Sequence, residues 1–259
     1  MIGDVVKKGL TKLQQDGPLE FSKATCRFIS YRAIPKRYRF LQNTYRNYLK
    51  SKVKYSSPAK PYKTIHVNPT EVEHRSFDIS VSRGLCQVRD GEWDNSAHLD
   101  SIDEHTYVKG LYERYKEGKA WEETEYVAYA EEKIDQNGER WGCSDVDEFI
   151  NDRCAYVDEV YEDIKDNGYN PETQSGSDNK KYDGRGKYKQ ELEPLVLISR
   201  DGEIIWRDGY HRYAIANILN LSIPVNVLCR HQDWQLHRDE VAKSDEPMHD
   251  PHPDLQDVA

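Results

Sequence analysis

The sequence predicts an α+β protein: a small mixed sheet with helices, interrupted by a helical insertion and preceded by a helical, basic arm. Three observations carry that prediction. Residues 190–232 read as hairpin, helix and strand in succession. Residues 64–90 alternate apolar and polar positions in short strand-like runs. Between them, residues 99–167 place apolar side chains three and four apart, the helical period.

The arm comes first. Ile2, Val5, Val6, Leu10 and Leu13 keep helical spacing until Gly17-Pro18 breaks it. Leu19, Phe21, Phe28, Ile29 and Tyr31 resume the pattern as far as Pro35, and KRYRFLQNTYRNYLKSKVKY then interleaves cations with aromatic rings. Three readings of residues 1–55 stay open: an interfacial amphipathic helix pair on a membrane, a nucleic-acid contact, or an ordinary helical arm packed on the body. SSPAKPY (56–62) is a linker. Ile65 and Val67 alternate with Thr64 and His66 as a strand that ends at Pro69, and residues 76–90 continue with short strand-like alternation. Leu99, Ile102, Tyr107, Leu111 and Tyr115 define a first insertion helix stopped by Gly118, and WEETEYVAYAEEKIDQNG a second stopped by Gly138. A third starts at Ser144 as N-cap, buries Phe149, Ile150, Cys154, Val157, Val160 and Ile164, and stops at Gly168. Residues 169–190 are almost free of aliphatics and read as a long polar loop. Leu195–Ile198 is a buried strand, Asp201-Gly202 a hairpin turn and Glu203–Trp206 the return strand. Tyr213, Ile215, Ala216, Ile218 and Leu219 form the buried stripe of a helix, and Val225, Val227 and Cys229 a further strand. The domain reading is therefore a basic arm 1–55, a domain 63–232 with insertion 99–167, and an acidic tail 238–259 with little core of its own.

Charge is unevenly placed on the 259 residues. Residues 1–65 hold 15 Lys and Arg against 3 Asp and Glu, while the remainder holds 22 against 43. A basic arm on an acidic body points to an anionic surface as the arm's partner and disfavours wrapping DNA. Eighteen tyrosines and five tryptophans exclude full disorder. Cys26, Cys86, Cys143, Cys154 and Cys229 are odd in number and contain no CxxC pair, which speaks against a disulfide framework and a zinc ribbon. Neither a signal peptide nor a membrane span is visible. The expectation is a cytoplasmic protein, peripheral to the inner face of the membrane if the arm meets lipid.

The most informative turn is Asp208-Gly209-Tyr210-His211-Arg212. Gly209 lets the backbone approach a ligand without a Cβ. The helix that follows offers unpaired N–H groups and the positive end of its dipole. His211 and Arg212 in its first turn are unfavourable there unless an anion is present. Asp208 can cap, orient His211 or hold Mg²⁺.

This segment resembles the ParB/sulfiredoxin superfamily. Asp208, Gly209, His211 and Arg212 match its D-G-x-H-R box, followed by Tyr213-Ala214 and a Pro-Val strand, and Pro69 after the first strand is similar to the start of such domains. The layout also resembles uncharacterised ParB-like proteins of haloarchaea. The resemblance covers roughly 63–80 and 190–232. It implies a sulfiredoxin-like fold, nucleotide binding through Asp208, Gly209, His211 and Arg212, ATP or ADP with CTP as a further option, and Mg²⁺ on Asp208. Tyr210 stands where sulfiredoxins need cysteine, and only a short acidic stretch follows His231 where ParB proteins carry a DNA-binding domain. Sulfinate repair and specific DNA binding are therefore disfavoured, and the kinase-like branch is nearest. It implies a phosphotransferase acting on a small or membrane-linked acceptor, with Glu71, Glu73 and His211 as catalytic residues. Glu92 and Asp94 form a second acid pair, and Trp121 either shapes an acceptor pocket or anchors the core. The alternatives are a ParB-like nucleic-acid-binding or nuclease protein and a non-catalytic nucleotide-sensing or scaffold protein.

Overall fold

The computed structural model describes residues 35–170, 192–244, 249 and 251–259. The expected helices at 2–15 and 19–34 and nearly all of the polar loop 169–190 lie outside them.

The fold is mixed α and β. Its sheet is ordered β1 (Thr64–Val67), β7 (Ile223–His231), β5 (Leu195–Ile198), β6 (Ile204–Asp208), β2 (His74–Arg75), β4 (Asp100–Ser101), and β3 (Gln87–Arg89) shares the β1 edge of the long β7. β5 lies antiparallel to β6 and parallel to β7. Its four apolar residues are all buried, as a central strand covered on both faces requires. Alternation sends Val196 and Ile198 into one core with Trp206, Val225 and the helices, and Leu195 and Leu197 into the other with Ile205, Leu228 and Phe40.

On the second face sits α1 (Lys36–Lys54). Phe40 and Thr44 are buried, Thr44 Oγ1 accepts the Leu85 N–H at 2.9 Å, and Asn47 Nδ2 donates to the Arg83 and Leu85 carbonyls. Gly84, at φ +78°, leaves room for this approach, because a Cβ there would stand 2.5 Å from the Thr44 nitrogen. Residues 36–54 of the arm are thus docked on the body.

The first face carries α2 (Thr106–Tyr115), α3 (Glu125–Asn137), α4 (Val146–Glu148), a π-helical turn (Phe149–Cys154), α5 (Ala155–Asn167) and α6 (Tyr210–Ile218). α7 (Gln232–Val241) follows β7.

Four expectations need correction. Asp100–Ser101 is a strand paired with His74–Arg75, so the insertion's first helix begins only at Thr106, capped by His105. The third begins one residue later than expected: Asp145 Oδ1 accepts the Glu148 N–H at 2.7 Å, while the Ser144 hydroxyl donates to the Glu148 carboxylate. Within 76–90 only Gln87–Arg89 is strand, and Val81–Arg83 is a 3-10 turn. The acidic end is not a tail without core. Asp254 and Leu255 are buried, and the Asp254 carboxylate accepts bonds from Arg230 and from Trp234 Nε1 at 3.0 Å. Arg238 donates to the Asp254 carbonyl and pairs with Asp257 at 2.6 Å. Buried arginines on β7 and α7 turn acids that look solvated in the sequence into core partners.

Candidate functional site

β6 ends at Asp208, and Gly209 turns the chain into α6 from the left-handed region, at φ +87° and ψ 37°. A Cβ at Gly209 would lie 2.9 Å from Pro194 Cβ, so conformation and space both require glycine. The Gly209 N–H donates to Asp208 Oδ1 at 2.9 Å. No acid stands in the first turn of α6.

α2 runs beside α6 in the same direction. At their starts His105 stacks on Tyr210, centroids 3.7 Å apart, and Tyr107 on His211 at 5.0 Å. At their ends Lys116 Nζ donates to Asn217 Oδ1 at 3.1 Å. Two helix N-termini therefore open on one corner, and their positive dipole ends add there.

Cationic side chains from four other segments reach the same corner. The Arg75 and Arg207 guanidiniums lie 5.2 and 4.9 Å from the centre of the half-exposed Phe77 ring, itself 6.1 Å from Tyr210. His211 Nε2 shares a hydrogen bond with the Tyr126 hydroxyl at 2.9 Å, which also accepts from Arg153 Nε at 3.1 Å. Burial pushes the Tyr126 phenol up to about 12 against the pull of Arg153, so it stays protonated. Arg140 Nη2 donates to the Tyr107 hydroxyl at 2.5 Å. Both arginines lie over Trp141, at 4.2 Å for Arg140 and 5.1 Å for Arg153. Neither meets a carboxylate among the described residues, and Arg140 Nε is shut from solvent without a hydrogen-bond partner.

The Trp141 backbone is strained. It sits at φ +50° before Gly142 at +82°, in a two-residue turn closed by paired bonds between Arg140 and Cys143. A left-handed aromatic residue costs about 1–2 kcal/mol. In this conformation the indole lies against both arginines and 6.1 Å from His211.

Searched against family models, curated proteins and solved structures, the chain matches none of them.

The expected site residues divide. Gly209 and His211 stand at the corner. Asp208 has one oxygen on the Gly209 amide. Arg212 turns aside, donating to the Leu192 carbonyl at 3.1 Å and pairing with Glu193 at 3.3 Å, a carboxylate that also accepts from Tyr169. Glu71 and Glu73 are exposed, on a segment held along the flank of α6 by Tyr213 on the Val72 carbonyl and Asn217 on the Pro69 carbonyl, one and two turns past Gly209. Asp94 and Glu92 both pair with Arg200, which clasps the β5–β6 turn, so this acid pair is structural. Trp121 is a buried core anchor whose Nε1 donates to Asp158 at 2.9 Å.

For magnesium, Asp208 is the one carboxylate at the turn itself, and no group of three His, Cys, Asp or Glu arranged for a metal occurs among the described residues. Magnesium is commonly held by one or two carboxylates together with substrate phosphates. Asp208 therefore fits the ion only alongside a bound phosphate. Cys143 and Cys154 are buried thiols and join no such group among the described residues.

Sequence reasoning missed Arg75, Phe77, His105, Tyr126, Arg140, Trp141, Arg153 and Arg207. Only Trp141-Gly142 carried a local signal, as a turn dipeptide. The rest are gathered by packing.

Proposed function

We propose that the protein binds a phosphate ester, a nucleotide foremost, at the corner where α2 and α6 begin. One observation carries this reading. Two guanidiniums, Arg140 and Arg153, are held there beside His211 by the hydroxyls of Tyr107 and Tyr126, and neither guanidinium meets a carboxylate among the described residues. Cations beside two helix N-termini repel those dipoles. A dianion relieves that repulsion and pairs with the cations as well. The half-exposed Phe77 ring, beside the Tyr210–His105 stack, offers a surface for a base.

Charge-assisted hydrogen bonds are worth about 1.5–3 kcal/mol each, roughly ten- to 150-fold in affinity. Intrinsic tryptophan fluorescence, to which Trp141 beside both arginines contributes, supplies the readout. ATP, ADP and CTP, each with and without Mg²⁺, are expected to quench it saturably. Arg140→Met and Arg153→Met should each weaken binding at least tenfold. A wild-type protein that binds none of them, or variants that bind unchanged, defeats the reading.

Phosphotransfer to a small or membrane-linked acceptor is a further step that rests on the family resemblance. In it, Asp208 would take a magnesium ion that neutralises phosphate charge. His211, the expected base nearest the corner, is the residue to test. Loss of phosphoryl transfer in His211→Asn with nucleotide affinity retained would support catalysis.

A further inference from the structure

We propose that the outer face of α1 is a docking surface for an anionic lipid bilayer. α1 has two faces. The inner one is fixed to the body through Phe40, Thr44 and Asn47. The outer one, half a turn around the helix, carries Tyr38, Tyr45, Leu49 and Val53, which are 62%, 52%, 61% and 91% exposed. These four follow one another at intervals of seven, four and four residues and so form a single ridge. A shallow groove beside it is lined by Gln42, Tyr45, Arg46, Leu49, Lys50 and Val53.

Charge selects the occupant. α1 contains seven Lys and Arg and no Asp or Glu. By helical angle, Lys52 flanks the ridge on one side and Arg39, Arg46 and Lys50 on the other. Cations beside an apolar ridge are what an interfacial helix presents to acyl chains and lipid phosphates together. A second copy of the chain would set seven positive charges against seven, with no acid to pair them. Nucleic acid would use the cations and tyrosines, but Leu49 and Val53 would gain nothing from phosphates. Outside residues 1–65 the chain has a surplus of 21 acidic residues, which an anionic surface repels. The body therefore faces away while α1, roughly 28 Å long, lies in the plane of the interface.

The test uses the full chain and sedimentation with vesicles of phosphatidylcholine alone or with about one third phosphatidylserine. The wild type should pellet with the anionic vesicles, less so as salt rises, and stay in solution with the neutral ones. Leu49→Ser/Val53→Ser and Arg46→Gln/Lys50→Gln should each reduce partitioning about tenfold or more. Because these side chains point outward, thermal melting should be unchanged. Absence of binding to anionic vesicles overturns the proposal. So does undiminished binding by both variants, since the contact would then belong to residues 1–34. A change of oligomeric state in the Ser variant would assign the face to a second copy. Weakened binding to an oligonucleotide with no vesicle binding would assign it to nucleic acid. Either outcome overturns the proposal.

Discussion

Replacing Asp254 by Asn keeps the side chain's size and removes its charge. Its carboxylate is buried against Arg230, which is 3% exposed, and Trp234, and a second buried guanidinium, Arg238, lies 4.0 Å away. Removing one partner of a buried ion pair costs about 3–5 kcal/mol, because the remaining charge loses its compensation. For a chain of this size that corresponds to a fall in Tm of roughly 6–20 °C. The pH dependence follows from the same geometry. Burial alone would raise the Asp254 carboxyl, but the charge and hydrogen bonds of Arg230, with Arg238 and Trp234, overcome it and hold the pKa at about 2, below the ordinary 3.8. A depressed folded-state pKa means stability present above the unfolded value and lost as pH falls through the folded one. About 2 kcal/mol should therefore disappear between about pH 4 and pH 2 in the wild type. That acid-sensitive increment should be absent from Asp254→Asn. Urea denaturation across this pH range measures both quantities. In Arg230→Met/Asp254→Leu, where no buried charge is stranded at this pair, the loss should be smaller than in either single variant. A single Asn variant within about 1 kcal/mol of wild type would refute the claim that the chain's end is part of the core.

Other outcomes follow from particular contacts. Gly209→Ala should cost about 2–3 kcal/mol, by combining a positive φ with a 2.9 Å approach to Pro194, and should lower nucleotide affinity; a melting curve and the fluorescence titration read the two effects. Gly110→Ala would put a Cβ 2.4 Å from Tyr126 Cβ, forcing α2 from α3, and should destabilise by about 1–3 kcal/mol while displacing Tyr126 from His211, seen as a shift of the imidazole NMR resonances. Burial pushes the Cys86 thiol to about 11 and those of Cys154 and Cys229 to about 12, and Cys143 is fully buried. These four should resist a thiol reagent at pH 8 until denaturant is added.

The local pattern was enough for the β5–β6 hairpin, the glycine turn and α6, because each is specified by residues adjacent in sequence: an apolar run, Asp201-Gly202, and a stripe at helical spacing. The resemblance to a nucleotide-binding family rested on the same short stretch. Of the residues it singled out, Gly209 and His211 lie where α2 and α6 begin, while the Arg212 guanidinium is held by Glu193, 19 residues earlier.

What the sequence by itself determined about this protein is its periodicities and its turns, because side-chain spacing and glycine conformations act over a few residues. Only the tertiary structure decided that Asp100–Ser101 pairs with His74–Arg75, that Asp254 closes a buried ion pair with Arg230, and that Arg140 and Arg153 meet His211 through two tyrosines. In each case the residue's role depends on a partner distant in the chain. A charged or polar side chain reads as solvated until packing supplies that partner and excludes water from both.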